Sequence, residues 1–88
     1  MKIWHKFDET PKCGADIVLA RFDSDEKRIL EINLEAMFFC PDNDNVPKFC
    51  KYVVIPGVNY EEFWYPIEED VDYTHWATQE DFYNKLEN

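Results

Sequence analysis

An α+β, mainly β domain is what this sequence predicts: an antiparallel meander of about four or five strands, curled toward a small barrel, with a short C-terminal helix. Two patterns carry that expectation. Leu30, Ile32, Leu34, Ala36 and Phe38 alternate with Glu31, Asn33, Glu35 and Met37, and Phe49, Val53 and Ile55 repeat the same period. Period two is the signature of a strand with one buried face. Near the end, Thr78 stands three residues before Asp81, and Phe82, Tyr83 and Leu86 lie on one side, as in a capped helix.

The elements follow in order. Glu9-Thr10-Pro11-Lys12-Cys13-Gly14 reads as a turn, because Pro11 fixes its own φ and Gly14 tolerates positive φ. Asp16 to Phe22 contains the run Ile17-Val18-Leu19-Ala20, short and partly β-branched, which suits a strand buried on both faces. Asp23-Ser24-Asp25-Glu26 is a polar turn. Lys27 to Phe39 satisfies two templates. Leu30, Leu34, Met37 and Phe38 also match a helix, and Asp23 with Glu26 resembles a capping box, but the uninterrupted alternation favours a strand. Cys40 to Pro47 is a loop. Lys48 to Ile55 is a strand ended by Pro56-Gly57. Tyr60 to Ile67 suggests another strand, stopped by Pro66, with a helical turn starting at Asn59 as the alternative. Glu68-Glu69-Asp70 is a solvated connection, Val71 to Trp76 alternates as a last strand, and Gln79 to Glu87 is the helix, with Glu80 favourable in its first turn.

Length and composition exclude several classes. At 88 residues one domain is the ceiling, spanning 1–88. Hydrophobic residues at 45% and fifteen aromatics are enough for a compact core. No apolar run is long enough to span a membrane as a helix, and Met1-Lys2-Ile3-Trp4-His5-Lys6-Phe7-Asp8 lacks the apolar stretch of a signal peptide. Cys13, Cys40 and Cys50 are odd in number and lack paired C-x-x-C spacing. The simplest expectation is a cytosolic chain with reduced cysteines. Cys40 and Cys50, flanking one loop, are the pair placed to approach each other.

No catalytic, cofactor or metal signature emerges. Asp42-Asn43-Asp44-Asn45 suggests calcium only superficially, since Pro47 and Val53 stand where an EF-hand needs Gly and Glu. His5, His75 and Cys13 are scattered candidates for a metal site with no informative spacing. A Cys–His nucleophile would lack a third group and an oxyanion signature. The expectation is a protein that is not an enzyme and carries no cofactor and no metal.

Charge is the least ordinary feature. Nine Lys and Arg against nineteen Asp and Glu leave −10, and direct nucleic-acid binding is disfavoured because phosphate contacts need cations. Residues 1–51 hold ten acids and eight bases, whereas residues 52–88 hold nine acids and only Lys85. The same stretch carries nine of the fifteen aromatics. Glu61, Glu62, Glu68, Glu69, Asp70 and Asp72, with Trp64 as an aromatic anchor, form the candidate partner-binding set. Carboxylates would steer a basic protein, and Trp would supply contact area. The plain alternative is a solvated acidic face that keeps a small domain soluble, or a structural, homodimerising domain with no separate ligand. A sharper alternative is mimicry of nucleic-acid phosphate, to inhibit a nucleic-acid-binding protein.

Two motifs point to a family. Trp4-x4-Glu9-x-Pro11-x2-Gly14 followed by Val18-Leu19, and Tyr73-Thr74-His75-Trp76 near the end, resemble the DUF551 family of small domains found widely in bacteriophages and prophages. The match covers residues 4–22 and 71–77. The family usually continues with Met-Pro-Leu-Pro where this chain has Ala77-Thr78-Gln79-Glu80, and residues 40–60 have no clear counterpart. The family has no established catalytic residues to carry over. The resemblance implies a compact, mostly antiparallel domain of mobile-element origin. It also implies that the terminal segments are adjacent in one sheet, with Trp4 and Trp76 packed together.

Overall fold

The computed structural model describes residues 3–41, 46–57 and 61–87. The Asp42–Asn45 tract and the alternative turn at Asn59 lie outside the described residues. Six strands and one helix form in the order β1 (His5–Lys6), β2 (Asp16–Phe22), β3 (Ile29–Phe39), β4 (Lys48–Ile55), β5 (Glu61–Pro66), β6 (His75–Thr78) and α1 (Gln79–Glu87). They make one antiparallel sheet with the order β1-β6-β2-β3-β4-β5. The class is α+β and mainly β. The sheet is open, not closed into a barrel, with β1 and β5 at its edges.

β2 lies in the interior of the sheet, between β6 and β3, and Ile17, Val18, Leu19 and Ala20 are all 0% exposed. Ile17 and Leu19 join Phe7, Ala36, Phe38, Phe49, Tyr73 and Trp76 in the core on one face. On the other face Val18 pairs with Ala77 and Ala20 with His75. The small Ala20 and Ala77 leave room for α1, which packs on β2 and β6. There Trp4 meets Phe82 and Phe22 edge-on, at 5.9 and 5.6 Å, and Phe22 lies 4.5 Å from the His75 ring.

The helix needs no linker. Its cap, Thr78, is the last residue of β6, and the Thr78 hydroxyl accepts from the Asp81 amide at 3.1 Å. The polar turn after β2 is held by Asp23, whose carboxylate accepts from the Lys27 amide at 2.9 Å while its own amide donates to the Arg28 carbonyl at 3.0 Å. The Lys27 amide, and then the Arg28 amide and side chain, hold the Asp23 carboxyl below the usual range.

β3 is a strand, as the alternation predicts, but its apolar residues do not share one face. Register shifts fall between Ile17 and Leu19 and between Arg21 and Phe22. In each, β3 contributes the extra residue of a bulge. Ile17 pairs with Ala36 and Leu19 with Asn33, so Asn33 takes the core face and its side chain donates to the Tyr73 hydroxyl at 3.4 Å. Past the bulge the period is reversed, and Leu30, Ile32 and Leu34 stay substantially exposed. The Leu34 carbonyl at the bulge accepts from the Gln79 side chain at 3.0 Å, and the Asn33 side chain accepts from the Glu35 amide at 2.9 Å.

Three further expectations need correction. The last strand is His75–Thr78, not Val71–Trp76. Asp70 adopts φ 64°, and the Val71 and Asp72 amides both donate to the Glu68 carbonyl, so the chain turns where alternation suggested extension. The termini are neighbours, since His5 pairs with Trp76 and Lys6 with His75, but Trp4 and Trp76 do not stack together. Trp76 lies in the core with His5 stacked on it at 4.4 Å, whereas Trp4, one residue from His5, points to the helix side. Finally, Cys13 is bonded to Cys40, with Cα atoms 5.4 Å apart, while Cys50 is free and buried. Gly14, at φ 79°, turns the chain so that its amide meets the Phe38 carbonyl at 2.8 Å, which draws Cys13 to the end of β3. Cys40 packs against the core, whereas Cys50 shares the register face of Met37 on the opposite side of the sheet, so the pair flanking the loop is kept apart. The disulfide removes the support that reduced cysteines gave to a cytoplasmic location.

Closing 27 residues of sequence separation by a disulfide stabilises by about 3–4 kcal/mol in the chain-entropy picture. Denatured, unreduced protein is expected to titrate one thiol, and reduction should lower the midpoint of urea unfolding without changing the circular-dichroism signature of the native sheet.

Candidate functional site: the acidic edge of the sheet

β5 pairs with β4 alone among the described residues, in a register from Cys50↔Pro66 to Ile55↔Glu61 without a shift. Trp64 is opposite Tyr52, with ring centroids 5.3 Å apart, and remains 42% exposed at the sheet margin. Beside it lies a cavity of about 620 Å³, lined by Phe39, Pro41, Val46, Lys48, Cys50, Trp64 and Pro66. Most of these side chains are apolar. Burial pushes the Cys50 thiol up despite the opposing charge of Lys48, so the cavity presents a protonated thiol and not a thiolate nucleophile.

The six candidate carboxylates fall into two groups. Glu61 and Glu62 begin β5, on opposite faces because successive strand residues alternate. Glu68, Glu69, Asp70 and Asp72 lie beyond its other end, in the connection to β6. At the rise of a strand the groups are about 20 Å apart. That exceeds the screening length of about 8 Å at physiological salt, so each group acts locally.

The second group is built around its own backbone. The Asp72 carboxylate accepts from the Glu68 amide at 2.9 Å, and Glu69 bridges to Tyr73. The turn comes close to β1: Asp70 and Asp8 add to the effect of Glu26, whose hydrogen bond and charge raise the Lys6 ammonium above its ordinary value. Lys6 is a cationic neighbour that the sequence separation hides. Its ammonium sits 3.0 Å from Glu26. Burial, and then the charge of Asp70, push Glu69 above the usual carboxyl range.

The histidines do not form a metal centre with Cys13, because Cys13 is consumed in the disulfide. His5 Nδ1 lies 2.6 Å from Glu9, and His75 Nδ1 lies 2.8 Å from the Thr74 hydroxyl, which also accepts from the Phe22 amide. The Phe22–Thr74 bond ties β2 to the residue before β6, and these histidine contacts are local. No group of three or more His, Cys, Asp or Glu among the described residues is arranged to hold a metal.

Sequence reasoning missed two parts of this site. The cavity joins residues from β3, β4 and β5 that share no motif. The edge position of β5 follows from sheet order, which local patterning does not encode. No family model, curated protein or solved structure matches the chain.

Glu69 supplies a sign-specific test. A carboxyl whose folded pKa is raised binds its proton more tightly when folded, so folding loses stability as pH rises from the ordinary Glu range through the raised value. Glu69→Gln is therefore expected to raise the thermal midpoint at pH 7 by a small amount, with the gain disappearing below the ordinary Glu range. A gain that grew on acidification would contradict the assignment.

Proposed function

We propose that this chain is a non-enzymatic accessory protein of a phage, prophage or mobile element, of the DUF551 type, that binds a basic protein through the acidic-aromatic edge at β5. The observation that carries this reading is an edge strand with an exposed Trp64, flanked at both ends by carboxylates, in a stretch without Lys or Arg between Lys51 and Lys85. Cations elsewhere are engaged in pairs such as Lys6–Glu26, Arg21–Glu31 and Arg28–Asp23, all with acids outside this stretch. Near β5 the cations are Lys48 and Lys51 on β4, and the six carboxylates of Glu61, Glu62 and the Glu68–Asp72 turn outnumber them. Exposed carboxylates accelerate encounter with a basic surface, and a Trp at the centre of the contact holds it. In the reducing cytoplasm of a host cell Cys13 and Cys40 would be thiols. The reading does not depend on their bond, since both lie outside the β5 edge.

The test compares wild type with a variant carrying Gln or Asn at Glu61, Glu62, Glu68, Glu69, Asp70 and Asp72, each used to recover proteins from host lysate at low and high salt. Wild type should retain a basic protein at low salt and release it at high salt, and the variant should not retain it. Equal recovery by both proteins would remove the acidic edge from the account and leave it a solubilising feature.

A further inference from the structure

We propose that the outer edge of β5 accepts an extended basic segment of its partner as a seventh strand, with an apolar side chain of that segment seated in the cavity beside Trp64. This rests on the basic-partner reading above and specifies how the partner is held.

The direction of the backbone groups follows from one hydrogen bond. The Ile67 amide donates to the Phe49 carbonyl at 2.9 Å. Phe49 thus points its backbone toward β5, and the opposite side of β4 agrees. Phe38, its partner on β3, sends its amide to Ala15 and receives Gly14 on its carbonyl, away from β4. In an antiparallel pair this orientation alternates. Tyr65, Phe63 and Glu61 therefore face β4, and Pro66, Trp64 and Glu62 face outward. The position of Pro66 fits, because an outward residue has no ladder bond to lose. The outer edge offers the amides of Glu62 and Trp64 and the carbonyls of Glu62, Trp64 and Pro66.

The other edge is unsuitable. β1 has two residues, and its Lys6 carbonyl already accepts from the Glu9 amide at 3.1 Å and the Trp76 indole at 3.2 Å.

The cavity and the charges name the occupant. Glu62, Trp64 and Pro66 share a register face with Cys50 and Tyr52, and the mainly apolar cavity lined by Trp64, Pro66 and Cys50 opens there with Lys48 in its wall, so the seated side chain is uncharged and the basic residues lie at the segment's ends. A strand added about 4.8 Å beyond β5 would project alternate side chains over that face. A segment of about six residues spans the length of β5. Its ends reach Glu61 and Glu62 on one side and the Glu68–Asp72 turn on the other, so the matching sequence is basic at both ends and apolar in the middle. Edge acids and an edge proline ordinarily discourage strand pairing. Here they discourage neutral and acidic strands, including a second copy of a chain with charge −10, and leave a basic one favoured.

The test uses an acetylated, amidated peptide in which Val-Leu-Val is flanked by lysine pairs, titrated calorimetrically at low salt, with a glutamate-flanked version as control. Three proteins are compared: wild type, Glu62→Gln, which removes charge, and Glu62→Pro, which also removes the outward amide but leaves the ladder to β4. Retained exchange protection of the Phe63 and Tyr65 amides verifies that the proline variant is folded. The lysine peptide should bind wild type and slow exchange of the Glu62 and Trp64 amides. Glu62→Gln should weaken binding about twofold, and Glu62→Pro about tenfold. Binding with both amides still open, or equal affinity for the Gln and Pro variants, would overturn strand addition while leaving the acidic-surface reading intact. Equal binding of the glutamate peptide, or no binding of the lysine peptide, would also overturn it. Protection of Glu62 and Trp64 that grows with protein concentration alone would assign the edge to a second copy instead.

Discussion

Burial of β2 on both faces is the constraint on which the rest of this molecule depends. Ile17, Val18, Leu19 and Ala20 are fully removed from solvent, and each large side chain contributes about 1.5–3 kcal/mol of burial. Each face of the strand needs its own cover. One face is closed by the core around Phe7, Phe49, Tyr73 and Trp76, the other by α1 with Trp4 and Phe22. The Trp76 indole fixes the N-terminal turn by donating to the Lys6 and Glu9 carbonyls at 3.2 and 2.9 Å. So short a chain spends most of its covering elements on β2 and β6. β4 and β5 extend beyond that cover, and among the described residues the outer edge of β5 has no partner strand.

Electrostatics follow the same gradient. The ion pairs of Lys6, Arg21 and Arg28 are surface contacts, and such pairs stabilise by little. Their consequence is spatial. They neutralise carboxylates near β1, β2 and β3, whereas the six carboxylates around β5 outnumber Lys48 and Lys51 of the neighbouring strand. The Glu68–Asp72 turn is shaped by its own bonds, the Glu68 amide donating to the Asp72 carboxylate and the Val71 and Asp72 amides to the Glu68 carbonyl. A hydrogen-bonded acidic turn presents its carboxylates in a defined arrangement as well as supplying charge.

The strands with strong local signals were readable from sequence: the continuous apolar run Ile17-Val18-Leu19-Ala20 marks a strand buried on both faces, and the alternation of Lys48–Ile55 marks β4, although Ile55 stays exposed. Thr78 and Asp81 likewise mark the start of α1, since the cap is made by residues three apart. Tertiary terms decided the rest. The bulge opposite Val18 reverses the faces of β3, although the run from Leu30 to Phe38 alternates perfectly, because pairing with β2 and the Gln79 contact set the register. Val71–Trp76 alternates too, yet Asp70 turns the chain and delays β6. The Cys13–Cys40 bond joins residues brought together by the Gly14–Phe38 contact, which spacing alone does not reveal. For the site, the unusual composition of residues 52–88 was visible, but the free edge and the cavity were not. Both depend on where β5 falls in the sheet.

The central claim is a sheet rigid at β2 and open at β5, and native-state amide hydrogen exchange across a denaturant series tests it most directly. Val18, Leu19 and Ala20 should exchange only through global unfolding, with opening free energies equal to the total stability. The β4–β5 ladder should open at lower free energy, and the outward Glu62 and Trp64 amides should exchange with little protection. Glu62 and Trp64 protected as strongly as Leu19 in dilute monomer, or β2 opening before β5, would contradict the account.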